Sequence, residues 1–94
     1  MALEFEWDEE KAIINQRDHK LGFEDAKAVF DDPLATTIPD PDHSIDEYRY
    51  LTIGESLKGK LLVVSYTERK GNIRLISCRE ATPWERKAYE EGDL

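Results

Sequence analysis

The most constraining part of the chain is its second half, where three apolar runs follow one another with short gaps. The runs cover residues 49–54, 60–67 and 72–79. They are rich in β-branched side chains, which favour strands. The gaps contain Gly59 and Gly71, as short connections between antiparallel strands commonly do. The pattern therefore predicts a three-stranded antiparallel meander on which the rest of the chain must pack.

The predicted sheet is apolar on both faces. In the third run, strict alternation places Ile73 and Leu75 on one side of the strand and Ile76 and Cys78 on the other. A sheet of this kind needs cover on both faces. The chain offers little helix, so we expect another protein to complete one of them.

The N-terminal residues predict an edge strand followed by a helix. Residues 3–7 alternate between apolar and polar and are expected to join the edge of the meander. Asp8 is a suitable N-cap for the helix that follows. At 100° per residue, Ile13 and Ile14 lie on a side that should dock, and a stripe on the other side should face outward. That stripe consists of Lys11, Asn15 and His19.

Two further helices are indicated. Residues 23–30 form a short amphipathic segment that ends before Pro33, and a brief strand is expected at 35–38. Thr82-Pro-Trp-Glu85 is a capping box with proline at the first helical position, and Trp84 and Ala88 form the apolar side of that helix. The sequence thus predicts one α+β domain over residues 1–94. Its antiparallel sheet should have three to four strands, with two N-terminal helices and one C-terminal helix, mostly on one face.

Charge is unevenly distributed along the chain. The whole sequence carries 13 Lys and Arg against 21 Asp and Glu, a net charge of -8, which disfavours phosphate binding. Residues 58–79, however, hold six basic residues and one acidic residue. An acidic chain with a basic sheet is compatible with a local phosphate site. It is equally compatible with ordinary solvated charges on hairpins.

The sequence lacks the usual signatures of metal and cofactor sites. His19 and His43 lie in different predicted elements, without zinc spacing, and the acidic residues lack the spacing of a calcium loop. There is no glycine-rich phosphate loop or nucleophile motif. We therefore expect no metal and no cofactor. The remaining Arg, Lys and His side chains are those a metal-free ribonuclease needs, as base, acid and cations around the phosphate.

The sequence also bears on localisation. Cys78, the single cysteine, lies within a predicted strand and is expected to be a buried thiol, as suits a reducing compartment. No export leader is evident, and no apolar run approaches the roughly 18 residues of a membrane-spanning helix. We expect a cytoplasmic protein with no membrane contact.

Two sets of motifs carry a family resemblance. The first comprises Phe5-Glu-Trp-Asp8, Lys11-Ala12, Asn15, His19, Phe23-Glu-Asp-Ala26 and Val29-Phe30-Asp-Asp-Pro33. The second comprises Asp42-His43-Ser44, Glu47, Arg49, Ile53-Gly54-Glu-Ser56, Gly59-Lys-Leu-Leu62, Thr67-Glu-Arg69, Ile73-Arg-Leu-Ile-Ser77, Arg79, Ala81, Glu85-Arg86 and Tyr89. Together they resemble the BrnT family, toxins of bacterial type II toxin–antitoxin systems. The resemblance spans nearly the whole chain.

The resemblance implies a RelE-like fold and a ribonuclease that arrests translation. It also implies a BrnA-like antitoxin with a ribbon-helix-helix DNA-binding domain, in a hetero-oligomer with this chain. On this first hypothesis the chain is a metal-independent endoribonuclease that acts through attack of the 2′-hydroxyl on phosphate. The catalytic residues would be Lys11, His19, Arg69 and Arg79, and the RNA contacts Asn15, Arg49, Lys60 and Arg74. Only histidine among these types ordinarily changes charge near neutral pH.

The chain departs from the family pattern at several positions. Where the family usually has Lys-His-Gly, a small apolar residue and Ser, this chain has Asp18-His19-Lys20-Leu21-Gly22. Lys60 stands where Arg is common, which keeps the charge but loses bidentate geometry. The departures favour a second hypothesis, an interaction module that binds an antitoxin and represses a promoter with little catalysis. RNA cleavage by the isolated chain would separate the two.

Overall fold

The structure, a computed structural model, describes residues 3–40 and 47–92. The elements in chain order are β1 (Phe5–Trp7), α1 (Glu9–His19), α2 (Phe23–Val29), β2 (Thr36–Pro39), β3 (Arg49–Glu55), β4 (Leu61–Arg69), β5 (Asn72–Glu80) and α3 (Pro83–Glu91). The α+β class is as predicted. The motif Asp42-His43-Ser44 lies outside the described residues. Among those described, no helix has the length and apolar character needed to cross a lipid bilayer.

The sheet has five strands in the order β1-β5-β4-β3-β2. Strands β2 to β5 are antiparallel neighbours, which confirms the meander, whereas β1 runs parallel to β5. The prediction of a wholly antiparallel sheet of three to four strands is therefore wrong in strand count and in one direction. Phe5 and Trp7 of β1 pack against the core, but local alternation does not encode the direction in which an edge strand pairs.

The hairpin between β4 and β5 turns on two residues. Lys70 and Gly71 connect Arg69 to Asn72 and have φ angles of 52° and 83°. Two successive positive φ angles define a type I′ turn, whose twist matches that of the strands it joins. Glycine adopts this conformation at no steric cost. The turn fixes the register at this end of the hairpin.

Helices α1 and α2 pack against one face of the sheet, called here the helix face. Its core contains Leu21, Phe23, Ala26, Val29, Leu62, Val64, Tyr66, Ile73, Leu75 and Cys78. Gly54 lies under α2, and a Cβ atom there would be 2.9 Å from Val29 Cγ1 and 3.1 Å from Val29 O. Glycine is therefore required for α2 to approach β3 this closely.

Helix α1 docks through a different side from the one predicted. Its N-cap is confirmed, since Asp8 Oδ1 accepts a hydrogen bond from Glu10 N at 2.8 Å. The docking of Ile13 and Ile14 is wrong, because these side chains are 67% and 46% exposed. Asn15 is buried in their place. The docked side of the helix carries Asn15, which hydrogen-bonds to β5, and Ala12, which packs against the core.

Helix α3 covers part of the opposite face. Tyr89 and Ala81 pack there against the buried cluster of Ile53, Leu61 and Val63. The predicted capping box is confirmed: Thr82 Oγ1 accepts from Glu85 N at 3.2 Å, and Thr82 N donates to Glu85 Oε1 at 2.8 Å. Ala88 is buried as expected, but the packing of Trp84 is wrong, since this side chain is 71% exposed. Two helices thus lie on one face and the third on the other.

Candidate active site

Four arginines from three strands lie on the sheet face opposite α1 and α2. Arg49 of β3 and Arg74 of β5 both pair with Thr67 of β4. Arg79 of β5 pairs with Val63, and Arg69 belongs to β4 itself. Paired residues share a face of a sheet, and Val63, Thr67 and Arg69 are separated by even numbers of residues, so they lie on the same side of β4. We call this surface, which carries Arg49, Arg69, Arg74 and Arg79, the arginine face.

Arg79 reaches the arginine face because β5 contains a β-bulge. Ser77 pairs with Ser65 and Leu75 pairs with Tyr66, so Ile76 is an extra residue without a partner on β4. An extra residue reverses the alternation that follows it. Leu75 and Cys78 therefore both enter the helix-face core, and the prediction that they lie on opposite sides is wrong. Ile76 is half-buried rather than part of the core.

Lys11 and His19 lie in one cavity beside the bulge. The cavity has a volume of about 270 Å³, and its lining residues are Lys11, Ile14, Asn15, Asp18, His19, Ile76 and Ser77. Ser77 also belongs to the arginine face and lies two residues from Arg79, about 6 to 7 Å along the strand. The cavity and the arginine face therefore adjoin at Ser77.

Asn15 is a structural residue of this region. It is 4% exposed, so the prediction that it faces outward is wrong, whereas its predicted contact with RNA stays a prediction. Its Nδ2 donates to Cys78 O and Leu21 O, and its Oδ1 accepts from Cys78 N, all at 2.9 Å. Because β1 pairs only with residues 73–75, Cys78 lies on a strand edge without a neighbouring strand. Asn15 satisfies the backbone groups that such an edge leaves unpaired.

The substitution Asn15→Ala tests this structural role. It would leave the N–H and C=O of Cys78 unsatisfied in a buried place, and each lost partner costs roughly 1 to 3 kcal/mol. We expect a clear loss of unfolding free energy in a urea titration. Gln16→Ala, at an exposed neighbouring position on α1, is the matched control and should change stability by less than about 0.5 kcal/mol. Equal effects of the two variants would contradict the assignment.

Most of the predicted basic residues are paired with glutamates. Arg69 donates to both oxygens of Glu47 at 3.1 and 3.2 Å, Arg74 donates to Glu6 at 3.3 Å, and Lys60 Nζ lies 3.4 Å from Glu80 Oε1. Ion pairs with this much solvent exposure contribute little stability. A phosphate group can therefore compete with these carboxylates for the cations.

The four predicted catalytic residues occupy two separate places. Lys11 and His19 line the cavity with Ser77, and Arg79 lies two residues further along β5, whereas Arg69 lies at the turn end of the β4–β5 hairpin. Its strand partner Asn72 is seven residues from Arg79, which corresponds to about 23 Å of strand. Arg69 therefore groups with Arg49 and Arg74. It cannot act on the same phosphate as Arg79.

The acidic partner of Arg79 was missed in the sequence. Glu85 Oε1 and Oε2 accept hydrogen bonds from Arg79 Nη1 and Nη2 at 2.7 and 2.8 Å. The hydrogen bond from Arg79 is the main cause that lowers the pKa of Glu85 to about 2, and the same bond raises the pKa of Arg79. The capping box identifies Glu85 only as a helix-start residue. Nothing local to the motif indicates that the same carboxylate meets a strand arginine.

Other reactive groups do not form a competing site. Cys78 is buried as predicted, and burial raises the pKa of its thiol to about 12. Within 3–40 and 47–92, no three His, Cys, Asp or Glu side chains are grouped so that they could hold a metal ion. Asp32 accepts hydrogen bonds from Leu34 N, Glu55 N and the Tyr89 hydroxyl. It therefore ties together α2, β3 and α3.

Comparison with known proteins gives a family model and a similar fold. The model described as "Ribonuclease toxin, BrnT, of type II toxin-antitoxin system" matches residues 7–85. The fold is similar to the 1.1 Å crystal structure of the Brucella abortus ribonuclease toxin BrnT, with a TM-score of 0.68 and 24% sequence identity, covering 86% of this chain and 99% of that chain. No curated protein matches the sequence. At this identity the solved structure supports the fold, and the family model carries the relationship.

Proposed function

Because the chain belongs to the BrnT family of ribonuclease toxins of type II toxin–antitoxin systems, we propose that it cleaves RNA at the end of β5. The observation that carries this proposal is the junction at Ser77. There the cavity of Lys11 and His19 adjoins the arginine face beside Arg79. The His19 imidazole and the Lys11 ammonium group line a space of about 270 Å³, and Arg79 follows two residues after the lining residue Ser77 on β5.

The proposed reaction needs no metal. The 2′-oxygen of the RNA attacks the adjacent phosphorus, a new P–O bond forms, and the bond to the 5′-oxygen breaks. His19 takes the proton from the 2′-hydroxyl and delivers it to the leaving 5′-oxygen, Arg79 stabilises the charge that develops on the phosphate oxygens, and Lys11 holds the phosphate. The product is a 2′,3′-cyclic phosphate, which water opens to a 3′-phosphate. Cleavage of messenger RNA in the cytoplasm would arrest translation.

The remaining arginines would bind the rest of the RNA strand. Arg74 pairs with Thr67, four residues along β4 from the Val63 that pairs with Arg79, a spacing of about 13 Å. Arg49 lies in the same row as Arg74, and Arg69 is beside it. We propose that these three side chains contact neighbouring phosphates. Lys60, which lies before β4 and forms an ion pair with Glu80, would contact RNA at the end of β4 opposite Arg69.

A second function is favoured by the charges around the cavity. Asp18 lines the cavity at a position where the family pattern has Lys. Arg17 donates a hydrogen bond to this carboxylate at 2.9 Å and lowers its pKa. A carboxylate there repels phosphate. Weak catalysis, with the chain acting mainly as the partner of a BrnA-like ribbon-helix-helix antitoxin, is therefore the alternative. On both hypotheses we propose that the antitoxin covers the arginine face, since this would block RNA.

The products of cleavage test the proposed reaction. A purified sample incubated with a labelled RNA should cleave it in excess EDTA and leave a 2′,3′-cyclic phosphate or 3′-phosphate. An oligonucleotide with a single 2′-deoxy sugar at the cleaved position is the matched control and should stay intact, since the attacking oxygen is missing. Cleavage that EDTA abolishes, or a product that carries a 5′-phosphate, would refute the mechanism. Absence of any cleavage would favour the second function, in which the chain acts mainly as the partner of an antitoxin.

A further inference from the structure

We infer that Glu85 is a positioning residue for Arg79: it accepts hydrogen bonds from the Nη1–Nη2 edge of the guanidinium group, so that the adjacent Nε–Nη2 edge is presented to a phosphate. The inference rests on the proposed function. It assigns a role to a side chain that belongs to α3 and lies outside the Lys11 and His19 cavity.

The hydrogen-bond pattern of Arg79 supports this role. Nη1 donates to Glu85 Oε1 and, at 3.3 Å, to Glu80 O, while Nη2 donates to Glu85 Oε2. A guanidinium group has five N–H donors. The two that remain, Nε–H and the second N–H of Nη2, lie on one edge and donate to no group among the described residues. Two parallel donors of this kind match two oxygens of a phosphate.

Glu85 is itself held in place. It is the third residue of α3, its Oε1 also accepts from Thr82 N at 2.8 Å, and its own N–H donates to Thr82 Oγ1. Its side chain is 15% exposed. The lowered pKa, about 2, keeps the carboxylate charged throughout the neutral range. The start of α3 therefore fixes the plane of the Arg79 guanidinium before any ligand binds, which is how a supporting residue preorganises a site.

The pair formed by Arg69 and Glu47 provides a natural comparison. Glu47 bonds to Nε and Nη2 of Arg69, the edge that remains open on Arg79. The side chains of this pair are 49% and 33% exposed. Glu47 thus occupies the phosphate-matching edge of its arginine, whereas Glu85 leaves that edge open. Glu47→Gln is the matched control for Glu85→Gln.

Chemical rescue with guanidinium ion tests the inference. In Arg79→Ala, Glu85 remains and should bind free guanidinium where the side chain was, so millimolar guanidinium chloride should raise the cleavage rate roughly tenfold, a change of about 1.4 kcal/mol in the barrier. In the double variant Arg79→Ala with Glu85→Gln, rescue should be lost. Sodium chloride and urea at the same concentrations control for ionic strength and for denaturation.

The single variant gives a second readout if Arg79→Ala does not fold. Glu85→Gln should lower kcat about tenfold with KM within about twofold, and Glu47→Gln should leave kcat unchanged. Equal rescue with and without the Glu85 carboxylate, or an unchanged kcat in Glu85→Gln, would overturn the inference. In either case, cleavage of RNA by the wild-type chain would still support the proposed function. A wild-type chain that cleaves no RNA overturns both.

Discussion

Replacing Arg79 with alanine is expected to lower the rate of RNA cleavage roughly 10²- to 10³-fold, the usual effect of removing one preorganised donor from a developing charge. Arg79 lies two residues from Ser77 on the arginine face, next to the cavity of Lys11 and His19. The bidentate pair with Glu85 holds it there. The loss should appear in kcat and in kcat/KM, measured with a short RNA at saturating and limiting concentrations.

Arg69→Ala is the matched control for this prediction. Arg69 is also a strand arginine paired with a glutamate, but it lies at the other end of the hairpin. It should weaken RNA binding and reduce its salt dependence, as expected for a phosphate contact, with little change in kcat. Similar losses of kcat in the two variants would contradict the division of the arginine face.

In a third variant, His19→Gln should flatten the acidic limb of the pH–rate profile, because His19 is the proposed proton carrier of the reaction.

Leu62→Ala is expected to cost roughly 2 to 5 kcal/mol of unfolding free energy, the range for a large buried aliphatic side chain cut to alanine. Leu62 is completely buried in the helix-face core. Ile76→Ala should cost only roughly 1 kcal/mol, because the bulge removes Ile76 from the core and leaves it half-buried at the cavity. Urea titrations give the unfolding free energies of both variants, which are comparable if the slopes of free energy against urea concentration are equal.

The second variant also checks the bulge. Strict alternation along β5 predicts that Ile76 is a core residue, and then the two substitutions would cost the same. Equal free-energy losses would therefore show that the register of β5 is regular and that Arg79 lies on the helix face. That result would separate Arg79 from the other arginines and remove the basis for the proposed site.

The elements of this fold were largely predictable because their signals are local. The capping box at Thr82 and Glu85, the N-cap at Asp8 and the turn at Gly71 each act over a few residues, and each formed as expected. The three β-branched apolar runs and the glycine-containing gaps between them likewise identified the meander. The resemblance to the BrnT family, rather than periodicity, supplied the expected fold type and chemistry.

The arrangement of the site was less predictable because it depends on long-range contacts. A bulge reverses the alternation of β5 without any glycine or proline to mark it. Asn15 was assigned outward from its polar character, yet a buried amide that bonds to a strand edge has the same local sequence signature as an exposed one. The pairing of Arg74 with Glu6 joins residues 68 apart in sequence, and only the completed fold determines their proximity.

The parallel pairing of β1 with β5 has a consequence for the timing of folding during synthesis. Phe5 pairs with Ile73, so β1 cannot find its partner strand until β5 has been synthesised. Contacts between residues this far apart in sequence form late because a long loop must close first. Lys11 and His19 enter the chain early, but their cavity needs Ile76 and Ser77 to close it. A growing chain that does not yet include Ile76 and Ser77 therefore cannot form the cavity proposed as the site of RNA cleavage.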